Sequence, residues 1–263
     1  MICVSYSTYS ILASNMRNEQ IKKLCIVFFF IASFNSNGQE NRQSAFTFNY
    51  NYQIPIGNLA NTFGNNSIVG SSYFLETSNN LIFGIEGNYM FAPTIKDSTI
   101  FNNISTSDGA IIGADGQYAN VNVMQRGFDC YLFAGYTFHP SENNLSGIYI
   151  YQGFGYLQHQ IFIDTKNQNV PQLDEEMKKG YDHFSNGFST KLSVDYNYYH
   201  QKGRFQISTG INYTIAYTKN QRAYDFAGNT YYDNERNWDK LLGFKIAIII
   251  PIKRKNEEKF YYY

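Results

Sequence analysis

From Phe46 onward the chain alternates large and small side chains with a period of two, the signature of a strand whose two faces meet different surroundings. In FTFNYNYQIPI the large set is Phe46, Phe48, Tyr50, Tyr52, Ile54 and Ile56, opposite Thr47, Asn49, Asn51, Gln53 and Pro55. The stretch LIFGIEGNYMF sets Leu81, Phe83, Ile85, Tyr89 and Phe91 against Gly84, Glu86 and Asn88. Phe188 to Tyr198 alternate with Ser189, Lys191, Ser193, Asp195 and Asn197, and Phe205 to Tyr217 alternate with Gln206, Ser208, Gly210, Asn212 and Thr214. A last strand runs Leu242, Phe244, Ile246, Ile248, Ile250, Ile252 against Gly243, Lys245, Ala247, Ile249 and Pro251. No helix has this period.

Three less regular strands, about 68–77, 123–138 and 146–163, bring the expected number to eight; in the last of them both faces carry Ile or Tyr and the parity is open. Short connections at Ser78-Asn79-Asn80, at Pro140 to Asn144 and at Gln201-Lys202-Gly203 alternate with long ones at 57–67, 92–122, 164–185 and 219–237. The fold expected is therefore all-β: an eight-stranded antiparallel up-and-down transmembrane β-barrel with short periplasmic turns, long extracellular loops and both termini periplasmic.

Alternation alone does not say which face points outward, but volume does. The interior of eight strands is only just wide enough to be filled by side chains, so five or six Phe, Tyr and Ile per strand belong outside, where lipid accepts them. Strands of about 9 to 11 tilted residues cross the hydrocarbon layer. Tyrosines near strand ends (Tyr50, Tyr52, Tyr89, Tyr136, Tyr196 to Tyr199, Tyr213, Tyr217) suit interfacial girdles. Inward positions then carry Glu86, Asp129, Lys191, Asp195 and Lys245, charges that must pair inside the barrel and close a polar lumen.

Composition narrows the location. Lys+Arg and Asp+Glu both number 21, which speaks against a nucleic-acid partner, and 18% aromatic content speaks against disorder. From Met16 the chain reads as a secretory signal: Arg17, Lys22 and Lys23, an apolar run from Leu24 to Phe34, then Ser36 and Gly38 before a cut at Gln39 or Glu40. The organisation expected is a spurious extension at 1–15, a signal peptide at 16–38, an outer-membrane barrel at 39–252 and a short periplasmic tail at 253–263. Cys3 and Cys25 leave with the signal and Cys130 stays alone, so no internal disulfide forms. Cys25 begins the apolar run instead of following it, which argues against a lipoprotein cysteine.

Candidate chemistry is sparse. There is no GxSxG, HExxH, CxxC or GxxxxGK[ST] motif, and the chain calls for no catalytic residue, cofactor or metal. His139 and His200 beside the short turns read as solvated turn residues. His159 and His183, with Ser185 and an acid, could mimic a lipid-modifying hydrolase. Asp108-Gly109 and Asp115-Gly116 read as turns of a loop hairpin; calcium binding there lacks an EF-type run of ligands. Pro171 to Lys179, ended by Gly180, reads as a short helix. The fourth long loop, with Tyr224, Phe226, Tyr231, Tyr232 and Trp238, is the candidate recognition surface, and a hairpin extending the barrel would explain it equally well.

The chain resembles the small eight-stranded outer-membrane barrels of the OmpA and OmpX kind. QIPIGNLANTFGNN, the Asn-Asn turn, FGIEGNYMF and the closing LGFKIAIIIPI look like barrels of type IX-secreting and gliding bacteria. The tail KRKNEEK after Ile252 departs from the aromatic last residue usual there. The resemblance implies contact with outer-membrane lipid or lipopolysaccharide and with the barrel-assembly machinery. It leaves open a stand-alone structural or surface-binding barrel, an accessory subunit of a type IX (PorT- or PorG-like) secretion complex, and a lipid-modifying hydrolase. The short tail and polar loops favour the first.

Overall fold

The computed structural model describes residues 41–140, 146–199, 206–232 and 236–252. The extension and signal at 1–38, the tail at 253–263, the turn residues 141–145 and 201–203, and His200 lie outside the described residues. In chain order the elements are β1 (Asn41–Ile56), α1 (Leu59–Thr62), β2 (Asn66–Thr77), β3 (Leu81–Ala92), β4 (Ile111–Ile112), β5 (Tyr118–Ala119), β6 (Asn122–Phe138) and β7 (Gly147–Asp164). They continue with β8 (Ser185–Tyr198), β9 (Gln206–Asn220), β10 (Tyr224–Asp225), β11 (Thr230–Tyr231) and β12 (Arg236–Ile252).

The eight long strands pair antiparallel in the order β1-β2-β3-β6-β7-β8-β9-β12, and β12 closes on β1 with Ile246 opposite Tyr50 and Lys245 opposite Asn51. Closure leaves the barrel no sheet edge, so each of the eight long strands is paired on both sides. β4 with β5 and β10 with β11 are two-stranded hairpins inside the second and fourth long loops. In the first, the turn falls at Asp115-Gly116, where Gly116 takes φ +76°.

The barrel is inside out. Phe46, Phe48, Phe83, Ile85, Ile207 and Ile246 stand on the outer face, with Leu132 67% and Ile246 63% exposed, while Asn49, Asn51, Asn88, Ser193 and Asn212 on the opposite faces are buried. Water does not tolerate so continuous an apolar belt, and lipid does. Free Cys130 lies on this outer face, between Asp129 and Tyr131 of the lumen. Trp238 leans on Tyr217 at 4.7 Å, with Arg236 over the same ring at 5.1 Å, an amphipathic anchor near the loop end of β12 and β9.

β6 and β7 have nearly the extents read from the sequence, 17 and 18 residues, and are longer than a crossing requires. Toward the loop end the outer face mixes polar and apolar side chains, with Arg126, Gln158 and Gln160 beside Phe162, over whose ring Arg126 lies at 5.8 Å. The open parity of β7 resolves with Tyr149 and Tyr151 inside, so the lumen is not lined only by small residues. Tyr199 also turns inward and hydrogen-bonds Gln43 Nε2 (2.9 Å) instead of joining a girdle.

Residues 171–180 form two 3-10 turns, Pro171–Leu173 and Met177–Gly180, and not one helix. The Asp174 side chain accepts from the N–H groups of Glu176 (3.1 Å) and Met177 (2.7 Å). Such local bonds compete with helix propagation in a segment this short. Gly180 is needed for another reason: a Cβ there would lie 2.1 Å from the Phe226 ring.

Candidate functional site

The inward faces stack three layers between the turn end and the loop end. At the turn end Glu76, 0% exposed, accepts from Thr137 Oγ1 (2.9 Å) and Tyr149 Oη (3.1 Å) and meets His139 Nε2 at 2.6 Å. His139 is thus a buried partner of a carboxylate and not a solvated turn residue. Phe74, Ile82, Phe133 and Ile249 pack around this group and seal that end.

The middle layer holds the charges expected inside. Lys191 Nζ lies 2.8 Å from Glu86 Oε1 and 3.5 Å from Asp129 Oδ1, and 4.2 Å from the centre of the Tyr131 ring. Asn88 Nδ2 ties the two carboxylates together, donating to Glu86 at 2.7 Å and to Asp129 at 2.5 Å. Lys245 pairs with Asp195 and donates to Tyr151 Oη (2.6 Å), which donates to Asp195 (2.7 Å). The structure therefore brings the five charged residues into two clusters, both desolvated and both hydrogen-bonded. Inner-face glycines make the room: a Cβ at Gly70 would lie 1.9 Å from Asn88 Oδ1, and one at Gly210 would lie 2.1 Å from Asp195 Oδ1.

The loop end is roofed. Tyr181 of the third long loop stacks edge-on with Phe101 of the second (5.4 Å) and Phe226 of the fourth (5.4 Å). Asn103 donates to the Phe226 carbonyl (3.0 Å), and Phe226 N–H donates to Gly180 O (2.9 Å). Arg222 Nε reaches Asp182 Oδ1 at 2.9 Å, and this hydrogen bonding raises the guanidinium pKa further. Below this roof Leu157, Ile161, Ile163 and Leu173 form an apolar core with Ile100 and Ile111.

Beside the roof a polar vestibule of about 300 Å³ remains, walled by consecutive barrel strands and by α1. β7 contributes His159, β8 Ser185, β9 Thr218 and Asn220, and β12 Asn237 and Asp239. His159 Nε2 meets Asp239 Oδ2 at 2.9 Å, Thr218 Oγ1 donates to the same oxygen at 2.6 Å, and Phe63 stands edge-on to the imidazole at 5.2 Å. An Nε2–H given to Asp239 leaves Nδ1 as an acceptor, and this buried atom has no hydrogen-bond partner among the described residues. His183 enters the cavity from a left-handed backbone (φ +46°), with Nε2 3.7 Å from Asp225.

The histidines and serine singled out in the sequence therefore share one cavity, with Asp239 as an acid the sequence did not indicate. Their geometry is that of a His–Asp pair without an engaged nucleophile. Ser185, directly opposite His159 across the β7–β8 ladder, donates to the His183 carbonyl (3.1 Å). The cavity wall is made by inward-facing positions of the barrel, with His159, Thr218 and Asp239 buried.

The five aromatic residues of the fourth loop do not form one surface. Phe226 packs into the roof, Tyr232 lines the vestibule and Trp238 belongs to the outer rim of the belt. Tyr224 bears on Phe226 (5.5 Å) and Tyr231 (4.8 Å) across the β10–β11 hairpin, and only Tyr231 projects fully into solvent. The hairpin thus joins Tyr224, Phe226 and Tyr231 through ring contacts, while Tyr232, next in sequence to Tyr231, faces the other way into the vestibule.

No family model matches the chain, and no curated protein does. Solved structures similar to it are small eight-stranded outer-membrane barrels. Neisserial surface protein A is 10% identical, with 79% of this chain and 96% of that one covered and a TM-score of 0.38. The attachment invasion locus protein Ail of Yersinia pestis, crystallised with the heparin analogue sucrose octasulfate, is 9% identical over 80% and 98%, with a TM-score of 0.40. Outer membrane protein W of E. coli is 13% identical over 79% and 98%, with a TM-score of 0.36. These similarities concern the barrel, and the type IX part of the resemblance has no counterpart among them.

Proposed function

We propose that this chain is a non-enzymatic outer-membrane barrel that works as a closed scaffold, holding a folded roof and a polar vestibule at the cell surface. The observation that carries this reading is the filled lumen: the Glu76 layer, the two charged clusters and the apolar core under the roof follow one another along the bore. Support for the orientation comes from the distribution of connections. Both ends of the described barrel, Asn41 and Ile252, lie at the end of the short turn 78–80, and the long loops gather at the other.

A closed lumen has a direct electrical consequence. Purified protein inserted into planar bilayers is expected to give no steady conductance in salt, and vesicles containing it should hold a small fluorescent dye. A stable ion-conducting state would contradict the scaffold reading and make the bore the functional feature.

A further inference from the structure

The vestibule is a small space, at the lower end of the ~300–1,000 Å³ typical of small-molecule pockets, with room for a ligand of a ring or two. Its lining is unusual for a gap left by imperfect packing. Asn58, Asn220 and Asn237 line it with carboxamides, that of Asn220 keeping its NH2 group after its Oδ1 accepts from the Arg222 N–H (2.8 Å), Thr62, Thr218 and Ser185 add hydroxyls, and the Asp239 carboxylate is held in place by His159 and Thr218. His159 Nδ1 is buried and has no hydrogen-bond partner among the described residues, so the ring offers the cavity an edge and no exposed polar atom. Phe63 and Tyr232 add ring surface at the sides.

Among the described residues no Lys or Arg lines this cavity. Phosphate, sulfate and carboxylate ligands would therefore meet no compensating charge and one carboxylate, so an anion is disfavoured. An apolar ligand would leave the amides and hydroxyls that line the cavity unsatisfied. What fits is a neutral molecule dense in hydroxyl groups, whose adjacent O–H pairs match amide and carboxylate groups and whose C–H face can lie on an aromatic ring. We infer that the vestibule between α1, β7, β8, β9 and β12 binds a neutral saccharide unit, through Asn220, Asn237 and Asp239, with His159 holding the Asp239 carboxylate in place. The inference deepens the surface-binding reading above and rests on it. Binding in detergent is independent of conductance and of orientation in the membrane, so the two can fail separately.

The test uses the full-length mature barrel in detergent and saturation-transfer NMR with free galactose, mannose and N-acetylglucosamine as probes. At least one sugar should receive saturation from the protein. Asn237→Trp, which fills the cavity, should abolish the signal, and Asn220→Ala should weaken binding at least tenfold while unboiled gel mobility remains that of the folded barrel. Should Asn237→Trp not fold, Asn220→Ala and Asn237→Ala carry the comparison. Absence of transfer to every sugar overturns the proposal. So does transfer unchanged in the cavity variants, which would place the sugar elsewhere, or zinc binding at His159 and His183 with no sugar binding at all.

Discussion

Replacing Lys191 by Met should lower the stability of the folded barrel by about 3–5 kcal/mol, the cost of leaving a buried ion cluster without one of its partners. Lys191 is the cation shared by Glu86 and Asp129, and all three side chains are nearly inaccessible. Its removal leaves two carboxylates joined only through Asn88, which cannot neutralise either. The aliphatic stem of Met fills much of the vacated volume, so the loss reports charge more than a cavity. Urea titration in lipid vesicles, read as the fraction keeping folded mobility on an unboiled gel, measures it. Adding Glu86→Gln and Asp129→Asn to Lys191→Met should restore most of the loss, because neutral amides can share hydrogen bonds without a counter-charge. A Lys191→Met barrel as stable as the parent would show that the cluster is not the structural centre of the lumen.

The second large effect is expected on the opposite face of the wall. Ile246 sits mid-way along the outer face of β12, between Thr209 of β9 and Tyr50 of β1, a register that puts Tyr50 within the belt and not in the interfacial girdle expected from the sequence. Arg there should cost about 2–4 kcal/mol, as charged side chains do at the bilayer midplane. Ile252→Arg, at the turn-end edge of the same face, should cost at most about 1 kcal/mol, because the guanidinium can reach the headgroups. The same vesicle titration distinguishes them. Equal costs at the two positions would remove the depth dependence on which a lipid-facing belt rests.

The sequence shows the wall and conceals the contents. A strand with one large and one small face, such as β1 or β12, declares its orientation because only the small set fits inside eight strands. β7 does not, since Tyr149 and Tyr151 on one face are as large as Ile148 and Ile150 on the other, and only pairing with β6 and β8 decides. Parity likewise places Glu86, Asp129, Lys191, Asp195 and Lys245 inside. Which carboxylate meets which ammonium depends on the stagger of strands far apart in sequence: Glu86 and Lys191 are separated by 105 positions.

His139 was misleading because it follows the last strand residue of β6, where a solvated turn is the ordinary outcome. Its burial follows from Glu76, which an inward parity in β2 would have exposed had Gly70, Ser71 and Ser72 not diluted the pattern. The vestibule was half legible. His159, His183 and Ser185 stood out as chemistry, but Asp239 belongs to a strand 80 residues on from His159 and reads locally as a charge at a strand start. The aromatics of the fourth loop gave the opposite error: closeness in sequence suggested one surface, and the hairpin, the roof and the belt divide them.

The most direct test of the inside-out architecture uses the native isoleucines. Methyl-labelled protein in lipid nanodiscs should show NOE contacts from the methyl groups of Ile207, Ile211, Ile246 and Ile248 to lipid acyl chains, because these side chains stand on the outer face. Those of Ile68, Ile82, Ile161 and Ile249, buried in the lumen, should show contacts only to protein. Acyl-chain contacts from the second set, or their absence from the first, would contradict the account and turn the barrel right side out.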